Sequence, residues 1–217
     1  MSQIQIPKGW EIQTLETLAV VLDPHPSHRA PPRFEGNGGF PFIGIGNITE
    51  DGIMDMVNSR KVPEKYVLDQ EKSYQINEHT IGYARVATVG KVVKIRKHKF
   101  RFAISATLSV INPHSINSDF LRYELKSKIF SQQVNNKTTG STRQSLGIKL
   151  LRKMEIVYPK DEKTQQKIVQ KLDDKFNEMK KYEQQITSIE AKLQHTKKSL
   201  DLLTSSVLNS AFSGKLN

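Results

Sequence analysis

Residues 164–212 read TQQKIVQKLDDKFNEMKKYEQQITSIEAKLQHTKKSLDLLTSSVLNSAF, a stretch without glycine or proline. Apolar side chains recur in it every seven residues, and a second, patchier apolar series accompanies the first. This spacing is typical of a coiled-coil helix, about 70 Å long at 1.5 Å per residue. The residues before it are too few to bury so long an apolar stripe, so the helix needs a partner helix. The predicted pairing surface consists of Leu172, Met179, Ile186, Ile189, Leu193, Leu200, Leu203 and Val207.

The residues before 161 have a different pattern, in which proline and glycine are frequent and the apolar period changes often. Residues 40–48, 91–97 and 102–111 have the composition of short strands. Residues 118–134 have a helical apolar stripe, with Ser118 as the predicted N-cap. The sequence therefore predicts an α+β fold, with a strand-rich domain over residues 1–160 and a long coiled-coil helix over residues 161–217.

The basic charge is concentrated in the predicted domain. The whole chain has a net charge of +11, and residues 1–160 hold 23 basic against 14 acidic residues. No acidic residue occurs between Glu78 and Asp119. Charge of one sign in one stretch attracts polyanions, which favours a nucleic-acid partner over a surface that is basic only for solubility. The cations of this stretch, all candidate DNA contacts, are Arg85, Lys91, Lys94, Arg96, Lys97, Lys99 and Arg101.

Composition also excludes several classes of protein. The chain has no cysteine, so it forms no disulfide and no thiolate metal site. No apolar run approaches the roughly 18 residues that span a bilayer, and the first residues do not resemble a secretory signal. These features lead us to expect a cytoplasmic protein without a membrane partner.

Residues 138–146, TTGSTRQSL, form a loop of small hydroxyl side chains with one arginine. One interpretation is a turn between two elements. The other is DNA binding, because cations neutralise phosphates while hydroxyls and loop amides hold the register along the backbone. Arginine can also bind guanine through two hydrogen bonds. With the preceding lysine, the candidate DNA contacts here are Lys137, Thr139, Ser141, Thr142 and Arg143.

The patterns that would indicate catalysis are incomplete. Gly82 and the Gly90-Lys91 pair lack the spacing of a phosphate-binding loop. Residues 112–115, NPHS, lack the aromatic side chain that an amino-methyltransferase motif requires. The histidines do not have a metalloprotease spacing, and Glu190-Ala-Lys192 lies on the heptad helix, where such pairs are solvated. We therefore expect no catalytic residues, no metal site and no cofactor.

Several segments together resemble the specificity subunit of type I restriction–modification enzymes, and more closely one half of that subunit. The resemblance covers nearly the whole chain, and each motif alone is weak while their order and spacing together are specific. Ala87 stands where the family usually has glycine. The segments are IPKGWEIQTLETL (6–18), PFIGIGNI (41–48), YARVATVGKV (83–92), GSTRQSL (140–146), EIVYPKDEKTQQKIVQKL (155–172) and LLTSSVLNSAFSGKL (202–216).

The resemblance implies a target recognition domain over residues 1–160 that reads double-stranded DNA. It also implies that residues 161–217 serve as spacer and as docking surface for methyltransferase (modification) subunits, which connect to the restriction subunit, while the heptad stripe predicts dimerisation through the same helix. Family members usually carry two such units, and this sequence has one without an internal repeat. It is therefore either a natural half-subunit or a piece of a longer chain, and the first methionine and family-like last residues favour the former.

Two functions remain open at this point. The first is a non-catalytic specificity subunit that acts as an antiparallel homodimer on a bipartite target. The alternative is a freestanding dimeric DNA-binding regulator, which would bind DNA tightly without a modification subunit.

Overall fold

The computed structural model describes residues 6–25, 31, 34, 36, 38–136 and 145–213. The chain divides into two units, Met1–Val169 and Gln170–Asn217. The strands of the first unit are β1 (Trp10–Thr14), β2 (Ala19–Leu22), β3 (Phe40–Ile43), β4 (Lys61–Val62), β5 (Ile81–Ala84), β6 (Val92–Lys94), β7 (Ala103–Ile104), β8 (Leu108–Pro113) and β9 (Glu155–Pro159). The helices are α1 (Leu15–Leu18), α2 (Glu64–Ser73), α3 (Ser118–Glu124), α4 (Lys128–Asn135), α5 (Ile148–Arg152) and α6 (Glu162–Phe212), with a 3₁₀ turn at Ile45–Asn47.

Three small sheets organise the described part of the first unit. β2, β8, β5 and β6 form an antiparallel sheet in that order, and β1 pairs antiparallel with β9. In the third sheet β3 lies between β4 and β7, antiparallel to the first and parallel to the second. Leu15, Leu121 and Phe130 are buried in the largest core cluster, which joins the first two sheets to the helices. The α+β prediction is confirmed.

The start of α6 belongs to this domain. Asp161 caps the helix by accepting a hydrogen bond from the Thr164 backbone amide at 2.9 Å. Gln165 is buried; its side chain donates to the Pro159 carbonyl and accepts from the Asn117 amide, both at 2.8 Å. Ile168 and Val169 pack against the largest core cluster. The first two turns of α6 thus anchor the helix, which begins near the predicted residue 164 and ends at the predicted residue 212.

Two local predictions were wrong, and two others were right in type but not in extent. The helix predicted over 118–134 is two helices, because Ser127 caps α4 by accepting from the Phe130 amide. Its N-cap is Asn117, whose side chain accepts from the Phe120 amide, and Ser118 is the first helical residue. The strand-like segment 40–48 contains β3 followed by the 3₁₀ turn, and the strand-like segment 102–111 contains β7 and most of β8.

In the described part of the second unit, α6 continues as a single helix to Phe212. Leu172 is half-buried. The other predicted pairing residues have 50–67% of their surface exposed, namely Met179, Ile186, Ile189, Leu193, Leu200, Leu203 and Val207. The heptad stripe is therefore a continuous apolar surface within this unit. No helix in the described part of the chain has the length and apolarity that crossing a membrane requires.

Glu124 gives the domain a pH-dependent stability. Burial raises the pKa of its carboxyl group to about 7 from an ordinary 4.5, against the opposing effect of hydrogen bonds from Val157 and Ser127. Its Oε1 atom is buried without a hydrogen-bond partner among the described residues. Because the folded state holds the proton more tightly than the unfolded state, this group favours folding most below pH 4.5. That contribution falls as the pH rises to about 7 and is constant above it.

Glu124→Gln is expected to remove this dependence. One pKa unit corresponds to about 1.4 kcal/mol, and the value is reduced here because the carboxyl group is partly exposed. The free energy of unfolding of the variant, relative to that of the wild type, should therefore rise by roughly 2–3 kcal/mol between pH 4.5 and 7. Urea unfolding followed by the fluorescence of Trp10, the one tryptophan of the chain, measures the difference. Glu155→Gln, at an exposed position of β9, is the control. Equal pH dependence of wild type and Glu124→Gln would refute the assignment.

Candidate nucleic-acid interface

Residues 95–102, which we term the basic loop, connect β6 to β7. The backbone amide of Ile95 donates to the Thr80 carbonyl at 2.9 Å, and the Ile95 side chain is buried in a second core cluster with half-buried Phe102. Residues 96–101 between these two anchors are exposed. Because residues 97–99, KHK, lie between the strand-like segments 91–97 and 102–111, the sequence predicts a loop or a hairpin tip there. It is a loop but not a hairpin, because β6 and β7 belong to different sheets.

Several cations of this region are held by acceptors that lie elsewhere in the sequence. Lys94 forms an ion pair with Asp119 at 2.8 Å, and the Arg96 Nε donates to the Asp51 carbonyl at 2.9 Å. Arg101 forms ion pairs with Glu64 at 3.2 Å and with Glu71 at 3.6 Å. The charges of Lys94 and Arg101 are thus compensated within the domain.

Lys97 and Lys99 differ from these neighbours. Both are exposed, and among the described residues neither forms an ion pair with a carboxylate. The Lys99 Nζ lies 4.9 Å from the ring centroid of Phe100, so its charge rests on an aromatic face. Two ammonium groups that have no carboxylate partner in the described part of the chain therefore project from the basic loop, where a phosphate backbone can reach them.

Arg85 lies inside the domain, with 3% of its surface exposed. Its Nη2 forms a buried ion pair with the Asp23 Oδ2, and the Asp23 Oδ1 accepts from the His25 amide at 3.0 Å. The Arg85 backbone also ties the domain together, since its amide donates to the Thr107 carbonyl at 2.9 Å. We therefore propose a structural role for Arg85 in place of a DNA contact.

Arg85 opens a tight turn, which we term the hairpin turn (residues 85–91), between β5 and β6. The Gly90 amide donates to the Ala84 carbonyl at 3.0 Å, and half-buried Lys91 closes the turn. Ala87 has φ of 64°, the left-handed conformation that a β-carbon disfavours. This is the position at which the related family usually has glycine. The turn therefore keeps the left-handed conformation that favours glycine, although the residue here is alanine.

The loop of residues 137–144 lies outside the described residues, and with it Lys137, Thr139, Ser141, Thr142 and Arg143. The two residues that follow it are placed against the hairpin turn. Ser145 bridges to Val86, and the Leu146 amide donates to the Arg85 carbonyl at 2.8 Å. The last residues of this motif therefore contact the hairpin turn, although the two segments are far apart in the sequence.

The acid-free stretch does not form one patch. Ile81 pairs with Lys94 and Tyr83 with Val92, so the hairpin turn and the basic loop leave opposite ends of the β5–β6 pair. A cavity of about 350 Å³ adjoins the basic loop and is lined from the other side by the end of α2 and residues 74–76. Within the described part of the chain, no cluster of histidine and acidic side chains has the arrangement of a metal site.

Two structural residues, Asp23 and Glu124, carry no signal in the sequence that predicts their role. Asp23 lies in a proline-rich segment, and its partner Arg85 is 62 residues away. Glu124 looked like one of the polar residues of a surface helix. Gln165 did stand within a family-like segment, and its buried hydrogen bonds now explain why a glutamine is suited to that position.

A family model described as type I restriction modification DNA specificity domain matches residues 7–191. Two solved structures have the same fold. A chain from a type I R-M system has a TM-score of 0.58 at 20% identity, over 99% of this chain and 48% of that one. The HsdS subunit from Thermoanaerobacter tengcongensis has a TM-score of 0.55 at 19% identity, over 99% of this chain and 47% of that one. This chain thus spans about half the length of either; no curated protein sequence matches it.

Proposed function

Since the chain belongs to the type I restriction modification DNA specificity family, we propose that it reads one half of a bipartite DNA target for a complex of methyltransferase and restriction subunits. In this proposal residues 1–160 bind double-stranded DNA, and residues 161–217 bind the modification subunits and, through them, the restriction subunit. The chain supplies recognition, and the partner subunits supply the chemistry.

The observation that supports DNA contact in this proposal is the pair of lysines on the basic loop that form no ion pair with any described carboxylate. Lys97 and Lys99 are exposed, while Lys94 and Arg101 nearby are held by Asp119, Glu64 and Glu71. A lysine that forms no ion pair within the domain can bind a phosphate without first breaking such a pair. At the other end of the β5–β6 pair, Lys91 is proposed as a second contact together with residues 137–144, which lead into Ser145 beside the hairpin turn, with Arg143 as a candidate for reading bases.

The apolar stripe of α6 supports the proposal of a homodimer. Its exposed residues extend from Met179 to Val207 on one helix, and such a surface is normally covered by a partner. In an antiparallel pair, the two domains would be attached at opposite ends of the paired helices. Two-fold symmetry would then make the target a split palindrome, with half-sites roughly one turn of DNA apart.

The same stripe would also suit a freestanding dimeric regulator. Co-purification separates the two functions, because a specificity subunit forms a stable complex with a modification subunit. A regulator instead binds its DNA tightly with no such partner.

Changing both Lys97 and Lys99 to alanine is expected to weaken DNA binding on every sequence. Each phosphate contact adds about 0.9 to the slope of log K against log salt, so the slope should fall by up to about two units. Binding titrations at several salt concentrations measure it. Lys8→Ala with Lys163→Ala removes the same charge from two exposed positions outside both proposed contacts. If both double variants reduce the slope equally, the basic loop is not a specific contact.

A further inference from the structure

Phe100 is an aromatic side chain exposed in the middle of the basic loop. It has 59% of its surface exposed, whereas Phe102, two residues later, packs against the second core cluster. Packing of the domain core therefore does not explain why position 100 has an aromatic side chain. Single exposed apolar residues are common on proteins, so the argument depends on the surroundings of this one.

The Phe100 ring is held in place by its own loop. The Phe100 amide donates to the His98 Nδ1 at 3.1 Å, and the two rings lie 5.4 Å apart between centroids. The Lys99 ammonium lies 4.9 Å from the ring centroid. The loop thus presents an exposed aromatic ring together with two cations that have no carboxylate partner among the described residues.

The charge around the ring indicates what covers it. An apolar protein partner would have to desolvate Lys97 and Lys99 without compensating them, which is costly. A nucleic acid supplies phosphates for the cations and base faces for the ring. Interleaved cations and aromatic rings are the combination with which proteins hold bases that have lost a stacking neighbour.

The surface beside the ring has room for such a base. The cavity of about 350 Å³ is lined by Phe100 and Phe102, by Tyr74, and by polar side chains that include exposed Gln75. The Glu71 carboxylate, which also lines it, is paired with Arg101 at 3.6 Å and so repels an incoming nucleotide less. Apolar faces and an exposed amide together suit a nucleobase.

We propose that Phe100 stacks on the face of a nucleobase that is locally unstacked in the bound DNA, with the cavity between the basic loop and α2 receiving that nucleotide. The inference rests on the proposed DNA-binding function and goes beyond it, because it assigns base contact to a loop whose lysines would contact only phosphates. Lys97 and Lys99 hold the backbone on either side, and the ring replaces the neighbour that the base has lost.

The test uses the full chain and a duplex selected by it from a random pool. Phe100→Ala should weaken binding at least fivefold, the lower end of what loss of one stacked base causes, with an unchanged salt slope. Phe100→Tyr keeps the ring and should bind like the wild type, while Phe100→Leu keeps apolarity and should bind like Phe100→Ala. Ile53→Ala, at an exposed apolar position of the same domain, is the control and should have no effect.

A second arm tests the unstacking. Single mismatches are placed in turn along the duplex, because a mismatch lowers the cost of opening the stack. The wild type should bind one mismatched duplex more tightly than the matched one, and Phe100→Ala should not. Unchanged binding by Phe100→Ala, wild-type binding by Phe100→Leu, or no favoured mismatch overturns the inference while the DNA-binding function stands. A wild-type chain that binds no duplex overturns that function as well.

Discussion

Arg85→Ala is expected to lower the free energy of unfolding of the recognition domain by about 3–5 kcal/mol, the usual cost of removing one partner of a buried ion pair. The side chains of Arg85 and Asp23 are 4% and 8% exposed, so the carboxylate left behind cannot recover its hydration. Its Oδ1 keeps the hydrogen bond from the His25 amide, but Oδ2 loses the guanidinium. Urea unfolding followed by Trp10 fluorescence reports on this domain separately from the long helix.

Two further variants give this prediction its controls. Arg101→Ala removes an arginine that pairs with Glu64 and Glu71 at the surface, and it should cost only about 0–1 kcal/mol. Arg85→Met combined with Asp23→Leu removes both buried charges and should recover much of the lost stability. Similar stabilities of Arg85→Ala and Arg101→Ala would show that the Arg85 ion pair does not support the domain.

The sequence does not show which cations of a basic stretch are paired in the folded domain, as the contrast between Arg85 and Lys97 illustrates. Within residues 79–118 every charge is positive, yet several of the cations find acceptors outside that stretch. Arg85 pairs with Asp23, and Lys94 pairs with Asp119. A stretch without acids in the sequence is therefore not a surface without acids. Only the fold separates the cations that are compensated from those that remain available to a partner.

The long helix was predictable because its signal is local and repeated. Every turn from residue 164 onward carries the same apolar period, so small irregularities at Lys175 or Thr196 did not obscure it. The domain has no such repetition. A single hydrogen bond from the Phe130 amide to the Ser127 side chain divides one predicted helix into two, and the four-stranded sheet joins β2 to β8 across almost ninety residues of sequence. Those contacts depend on the whole fold.

The proposed interface was predictable in its residue types and less so in its arrangement. Lys97, Lys99 and the loop 137–144 were identified from composition and family-like segments. That the basic loop and the hairpin turn leave opposite ends of one strand pair follows only from the register of β5 and β6. Phe100 carries no signal of such a role in the sequence, because one phenylalanine among strand-like segments is usually a core residue.

Changing Ile186 and Leu193 together to aspartate is expected to dissociate the proposed helix pair. These residues are 55% and 67% exposed in the single chain, so they have apolar surface to bury against a partner. Each apolar side chain contributes roughly 1.5–3 kcal/mol when fully buried, and a buried unpaired carboxylate adds a further cost. The dissociation constant should therefore rise by at least about a hundredfold, since about 1.4 kcal/mol corresponds to a factor of ten.

Sedimentation at micromolar concentration measures this dissociation. Gln184→Asp with Ala191→Asp introduces the same two charges, also seven residues apart, at helix positions outside the heptad stripe. That variant should stay dimeric, and in both variants Trp10 fluorescence should report a folded domain. A wild-type chain that sediments as a monomer, or a control that dissociates as readily as the stripe variant, would contradict pairing through this surface.

The same variant connects pairing to recognition. If two domains read two half-sites through one paired helix, the second contact is made at a high effective concentration, and its loss lowers affinity for the whole target without a change in the domain. The Ile186→Asp, Leu193→Asp variant should therefore bind an isolated half-site as the wild type does, but lose the additional affinity for the split palindrome. Lys97→Ala with Lys99→Ala should instead weaken both DNAs, because it removes contacts within each half-site. Opposite results from the two variants would assign DNA contact to the helix and pairing to the domain.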